Sequence, residues 1–349
     1  MIQRNPAVPL VEAARTRGEI RRVWEAPGEP ALLLAELQDV VFWIAPGIDG
    51  VIFLDGEAVV EESLRFFKPV NAPGRALGRT VRAPRVDEIR CELDAVLLPV
   101  DPGWMNYYHW LLIHAPTLRA AGTWLPQEIP ADLPRHADHV GIPRSVAFAA
   151  SVMEESLLGV TRPMLPLAPG AYRARRLFRF HLDSPQPAVS LRCEPWWQAL
   201  LGLERTLRET DQELASGAER IFVSRRGARR RTLGGEDDPG FQHALTEAGF
   251  VTLELAGRGL AEQARLFRAA RWIVGPHGSG LSNLLFCAPG ASVLEINAPI
   301  GAETETRPHT RRLAARRGLR YEELLLDASV PEGAQLTHGL RRWLAATGR

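Results

Sequence analysis

The sequence predicts an α/β protein built from two units, and three observations carry that prediction. From about residue 195 onward, apolar strand patterns alternate with amphipathic helical patterns, the signature of right-handed crossovers between parallel strands. The stretch VGPHGSGLSNLLFCAPGASVLEI, Val274 to Ile296, passes from an apolar strand through a glycine-rich loop and a small-residue helix into a second apolar strand. The chain has 349 residues, enough for two domains with cores of their own, and SPQPAVSL over 184–191 reads as a linker. The expected division is a β-rich then α/β unit over 1–190, a second α/β unit over 191–328, and a terminal helix over 329–349.

The elements follow in order. ALLLAEL, VVFWIA and VIFLDGEAVV between residues 31 and 60 read as short strands separated by turn residues. LDAVLLPV, Leu93 to Val100, is a buried-type strand; DPGW then leads into an apolar helix, NYYHWLLIHAPTLRAAG. A proline-rich connection over 124–134 precedes a helical stretch near 142–158 and two strand-like runs, PMLPLA and RRLFRFHL. In the second unit RIFVSRR is a strand, and DDPGFQHALTEAGF is a helix with an aspartate cap, proline at its start and glycine at its end. FVTLEL, RWIVG, SVLEIN and LRYEELLLD are strands; LAEQARLFRAA, SGLSNLLFC and TRRLAARRG are the helices between them, and LTHGLRRWLAATG is the last helix.

Composition narrows the function classes. The chain is 46% hydrophobic and 24% charged with a net charge of +1, so no overall field favours nucleic acid or an acidic membrane surface. Lys68 is the only lysine; an anion site must therefore be made from arginine, histidine or backbone N–H groups. Cys91, Cys193 and Cys287 are far apart and odd in number, which argues against a disulfide framework or a zinc site. The first residues lack an apolar signal core and no window of about 18 uncharged apolar residues occurs. The expectation is a reducing, cytoplasmic compartment, with peripheral membrane association compatible because it needs no span.

Three clusters carry chemistry. In the first, Gly275, Gly278 and Gly280 let the backbone approach a ligand closely, and the helix that follows offers unpaired N–H groups to a phosphate. His277 can donate to that phosphate or pack beside it. The spacing is neither the G-x-G-x-x-G dinucleotide fingerprint nor a P-loop, which counts against a nicotinamide-dependent oxidoreductase. Glu295 ends the next strand, where an acidic side chain can accept bonds from ribose hydroxyls. In the second, SRRGARRRT, five arginines fall within seven residues and need an anion or carboxylates to neutralise them; Glu236, Asp237 and Asp238 follow directly. They do not form a spaced Asp-x-Asp pair, so no metal is expected. In the third, Asn106 and His109 share one face of a helix that Ile113 continues, while His109 and His114, five apart, point apart and make no metal pair. A histidine there can act as a general base near neutral pH. Each cluster alone also has a plain structural reading: a tight turn, a solvated charge run, a packed histidine.

Together the clusters resemble glycosyltransferase family 61. The resemblance rests on Ser224-Arg225-Arg226, the later Arg231, AGF at 248–250, the L-x-E-Q-x-x-L-F helix, VGPHGSGLSN and FCAPGASVLEI, with Asn-Tyr-Tyr-His-Trp-Leu in the first unit. It implies a GT-B architecture, two Rossmann-like domains facing across a cleft, and inverting transfer of a sugar from a nucleoside-diphosphate sugar, of which uridine diphosphate sugars are the commonest, to a glycan hydroxyl in bacterial polysaccharide biosynthesis. It implies no cofactor beyond that donor substrate. By resemblance, Arg225, Arg226, Arg231 and the loop His277, Gly278, Ser279 and Gly280 face the phosphates. Asn283 supports that loop, Glu295 faces the ribose, and His109 lies near the acceptor with Asn106 on its face. The family pattern has a carboxylate where this chain has Ile113, so Asp101 is the expected substitute; the alternative is a non-catalytic sugar-nucleotide or glycan-binding relative.

Overall fold

Ala31–Ile44 forms one strand of 14 residues, buried throughout Ala31–Leu37 and alternating only from Val40, rather than the two short ones expected from ALLLAEL and VVFWIA. The apparent break is Asp39, which takes φ 54° and lies between Gln38, opposite Arg176, and Val40, opposite Ala174. Aspartate is among the few side chains that tolerate this left-handed conformation. The ladder continues on either side of it.

The computed structural model describes residues 7–44, 51–54, 58–60, 83–98, 107–126, 128–132, 164–165, 167, 170–183, 189–210, 217–226, 233–297 and 309–347. The helical stretch expected near 142–158 lies outside them. By its internal contacts the chain divides into Met1–Leu203 and Glu204–Arg349. That division falls inside the helix Glu194–Thr210.

The first unit is organised on a mixed sheet. Its strands are β1 (Ala7–Val8), β2 (Gly18–Trp24), β3 (Ala31–Ile44), β4 (Val51–Leu54), β5 (Ala58–Val60), β6 (Ile89–Leu97), β7 (Ala131–Asp132), β8 (Met164–Leu165) and β9 (Gly170–Asp183). The order is β1-β5-β4-β3-β9-β6-β7-β8, with β2 on β3. The long β3–β9 pairing is antiparallel, whereas β9-β6-β7-β8 run parallel. The expectation of a Rossmann-like sheet therefore suits only the second half of this unit. Leu37, Phe42, Ile52, Val96 and Leu177 fill its core, with Phe42 stacked on Tyr172 at 5.5 Å.

A helical run leaves β6 and returns to β7: Tyr107–His109, a π-helical turn over Trp110–His114, then Ala115–Trp124. Pro116 accounts for the π turn. It has no N–H to give a carbonyl one turn back, and in an α-helix its ring strikes that carbonyl. The wider turn relieves the clash: the Ala115 N–H donates five residues back, to the Trp110 carbonyl. The Ile113 carbonyl accepts from Thr117 Oγ1 at 2.6 Å and from Trp196 Nε1 at 3.4 Å.

The second unit is a five-stranded, all-parallel sheet of β10 (Arg220–Val223), β11 (Val251–Leu253), β12 (Trp272–Pro276), β13 (Ser292–Asn297) and β14 (Arg320–Leu325). The spatial order is β11-β10-β12-β13-β14. Counted within the unit this is 2-1-3-4-5, the doubly wound order whose chain direction reverses between its first and third strands. The expected punctuation holds around Pro239–Glu247: Asp238 Oδ1 accepts from the Phe241 N–H at 3.0 Å, Pro239 opens the helix, and Gly249 follows it at φ 73°. Glu332–Ala346 is not a separate tail. Its Leu336, Leu340 and Trp343 are buried with Phe222, Phe241 and Leu294 in one core, where Phe222 and Phe241 meet edge to face at 5.4 Å. Among the described residues no helix is long and apolar enough to cross a membrane.

Candidate active site

Adjacent parallel strands β10 and β12 deliver two loops to the same edge of the sheet, at the reversal of strand order. That is where open α/β sheets bind ligands. Ser224-Arg225-Arg226 leaves β10, and His277-Gly278-Ser279-Gly280 leaves β12.

The first loop is set by a buried acid. Glu236 is 2% exposed; it accepts a short hydrogen bond from Ser224 Oγ and another from the Arg225 N–H at 3.1 Å. Arg226 turns to Asp237, with Nε to Oδ1 at 2.8 Å, while Asp238 caps the following helix. The three acids thus have three separate tasks, and the arginine they leave for the opposite loop is Arg225. Its Nη1 donates to the His277 carbonyl at 3.0 Å. Burial pulls the guanidinium pKa below its usual value, and the charge of Glu236 opposes that shift.

Arg225 explains one glycine of the second loop. A Cβ at Gly278 would lie 1.7 Å from Arg225 Nη1, so the guanidinium occupies the space a side chain needs. Gly275 and Gly280 serve packing: a Cβ there would meet the Val223 side chain at 3.0 and 3.1 Å, and at Gly280 also Leu255 at 3.2 Å. The helix that follows, Ser279–Phe286, is 3-10 rather than α. Asn283, fully buried, pins its first turn by donating to Gln263 Oε1 at 2.8 Å and to the Gly280 carbonyl at 3.2 Å. The loop is also tied to β13 by the His277 N–H, which donates to the Ile296 carbonyl at 2.7 Å.

Glu295 does not face a ribose. It is 0% exposed and its carboxylate is enclosed by three donors. His277 Nδ1 and Thr310 Oγ1 each lie 2.7 Å from Oε1, and Tyr321 OH donates to Oε2. The expectation failed because Glu295 points into the unit, towards β14 and the helix His309–Arg316, not out of the sheet edge. Burial, then the charge and the hydrogen bond of Glu295, push the Tyr321 phenol well above its usual range, so it stays a donor. His277 keeps 14% of its side chain exposed. With Nδ1 on Glu295, Nε2 is the nitrogen left to meet a ligand.

In the first unit Tyr107, Trp110, Leu111 and Leu112 are buried, while Tyr108, His109 and Ile113 are half-buried. Tyr108 and His109 meet edge to face at 5.3 Å. The His114 side chain lies outside the described residues, as do Asp101, Asn106 and Arg231. Among the described residues no three His, Cys, Asp or Glu side chains gather as a metal site. A cavity of about 390 Å³ lined by Glu219, Arg271, Ser292 and Arg320 lies at the opposite, amino edge of the parallel sheet, away from both loops.

Sequence reasoning picked out Ser224 and Gln263 only as motif residues with no role, and missed Thr310 and Tyr321. Tyr321 had a signal: it pairs with Val293 in register, two residues before Glu295, so it is the diagonal neighbour on the same sheet face.

A family model, glycosyltransferase 61, matches residues 107–294, more than half of the chain. No curated protein matches.

Proposed function

The chain belongs to glycosyltransferase family 61, and from that premise we propose that it transfers a sugar, with inversion, from a nucleoside-diphosphate sugar to a glycan hydroxyl. The observation that carries the donor assignment is the meeting of Arg225 with the His277–Gly280 loop where the strand order reverses. The donor's diphosphate lies against the Arg225 guanidinium, His277 Nε2 and the first N–H groups of Ser279–Phe286, which have no acceptor within their own helix. Arg226 lies at the rim of this site, and Arg231 is proposed as a further contact to the phosphates. Asn283 holds the loop in place, and the ribose is met by a group other than Glu295.

The chemistry follows from those placements. The acceptor oxygen attacks the anomeric carbon as the bond to the diphosphate oxygen breaks, and the electron pair leaves with the diphosphate. Charge builds there, where a fixed guanidinium and fixed N–H groups stabilise it without rearranging. His109 takes the acceptor's proton, with Asn106 and Asp101 as its supporting groups. Donor and acceptor sit with the second and first units in a GT-B arrangement. A uridine diphosphate sugar as donor, a growing bacterial polysaccharide as acceptor, a cytoplasmic setting and peripheral membrane contact complete the reading.

The test is thermal. Uridine diphosphate at a hundred times its Kd adds about 2.7 kcal/mol to the folded state, a shift of roughly 4 °C for a chain of 349 residues melting as one. Arg225→Ala should abolish most of it. No shift at millimolar uridine diphosphate, or an equal shift in Arg225→Ala, rules out the donor site.

A further inference from the structure

Glu295 is a carboxylate with no exposed surface in the middle of a parallel sheet, and such a group is costly unless its charge is compensated. Three donors from three segments compensate it: His277 after β12, Thr310 in the helix His309–Arg316, and Tyr321 on β14. Of the three, only His277 also reaches the edge where Arg225 lies. A carboxylate behind Nδ1 fixes an imidazole's tautomer and the direction of its other nitrogen, as buried acids do behind catalytic and metal-bound histidines.

We infer that Glu295, itself held by Thr310 and Tyr321, is a positioning residue that fixes Nδ1 of His277 as a donor and aims Nε2 at the leaving diphosphate. The inference rests on the donor reading above for its ligand, but not for the tautomer. Thr310 and Tyr321 matter because each occupies acceptor capacity on the carboxylate. Oε1 is shared between His277 and Thr310 and Oε2 belongs to Tyr321, so the carboxylate cannot swing away from the ring without losing a bond. The raised phenol pKa keeps Tyr321 donating across the whole working pH range. Among the described residues, the groups bonded to His277 are Glu295 from β13 and Arg225 from the loop after β10, with Thr310 and Tyr321 behind Glu295.

The experiment has two readouts on the full chain. Nitrogen-15 NMR of the histidine rings, with the His277 signals assigned by His277→Gln, reports which nitrogen carries the proton when the ring is neutral. Calorimetry with uridine diphosphate reports binding. The free wild-type protein should show His277 protonated on Nδ1. Glu295→Gln should mix the tautomers and weaken uridine diphosphate about 10- to 100-fold, the usual effect of losing a group behind a functional histidine. Tyr321→Phe and Thr310→Val should move both readouts the same way by less; they decide the matter if Glu295→Gln fails to fold. A wild-type His277 protonated on Nε2 overturns the inference whatever the binding data say. So does unchanged affinity in folded Glu295→Gln and Tyr321→Phe, provided His277→Gln itself loses affinity. If uridine diphosphate does not bind the wild type, the donor reading fails while the tautomer still decides the role of Glu295.

Discussion

Gly278→Ala isolates the contact on which the donor site depends. Gly278 has φ 164°, an extended backbone any residue adopts, so the substitution carries no backbone strain. The added methyl carbon meets Arg225 Nη1 at 1.7 Å and nothing else closer than that guanidinium. The obstacle is the far end of a flexible side chain, so the fold survives and Arg225 moves. Moving it breaks the charged hydrogen bond to the His277 carbonyl and takes the guanidinium from the phosphate position. One charged hydrogen bond is worth roughly 1.5–3 kcal/mol, which corresponds to about 10- to 150-fold in affinity. Calorimetry with uridine diphosphate should therefore show a loss in that range with the melting temperature nearly unchanged. The decisive comparison is a double-mutant cycle, because in an Arg225→Ala background there is no guanidinium left to displace and Gly278→Ala should cost little. An equal loss in both backgrounds would refute the reasoning, since the glycine would then be acting on the ligand directly.

Four further outcomes are expected. His109→Ala should lower turnover by about two to four powers of ten and leave uridine diphosphate affinity unchanged; retained turnover ends the assignment of the base. A thiol reagent at neutral pH should modify Cys91, which is exposed, and spare buried Cys193 and Cys287 until the protein is unfolded, the Cys287 thiol being pushed up to about 12 by burial; rapid reaction of more than one thiol in the native protein contradicts the burial. The Tyr321 phenol is raised in the folded state, so its contribution to stability is complete below the ordinary tyrosine value near 10 and is lost as pH climbs above it. Denaturation midpoints should fall above about pH 10, and less steeply in Tyr321→Phe. Asp238→Ala removes the acceptor for the Phe241 N–H and should cost about 1 kcal/mol, read as a lower denaturant midpoint with the slope unchanged.

What was legible in the sequence was local. The passage from β12 through the glycine loop to β13 could be read because apolar runs and glycines mark it within two dozen residues. The helix at Pro239–Glu247 was readable from its aspartate, proline and glycine for the same reason. Glu295 was placed on the right strand and given the wrong surroundings. Which way a strand-end side chain turns is decided by what waits on each side, and here Thr310 and Tyr321 arrive from 15 and 26 residues further on. Asp39 shows the opposite failure: a local break signal was overridden by a fourteen-residue strand whose ladder with β9 resumes on either side of it. The three glycines were read as room for a ligand, whereas their neighbours are Arg225, Val223 and Leu255. An approach of one part of the protein to another leaves the same mark in a sequence as an approach to a substrate.

The wide turn at Trp110–His114 amounts to one residue spliced into an otherwise ordinary helix. Each residue of an α-helix advances the chain by about 100° of rotation, so everything ahead of the splice is turned by that angle relative to an unbroken rod. His109 thus takes its bearing from Pro116, seven positions away, although the two need never touch. Replacing Pro116 would remove the clash that holds the turn open, let the helix tighten and swing His109 to another quarter.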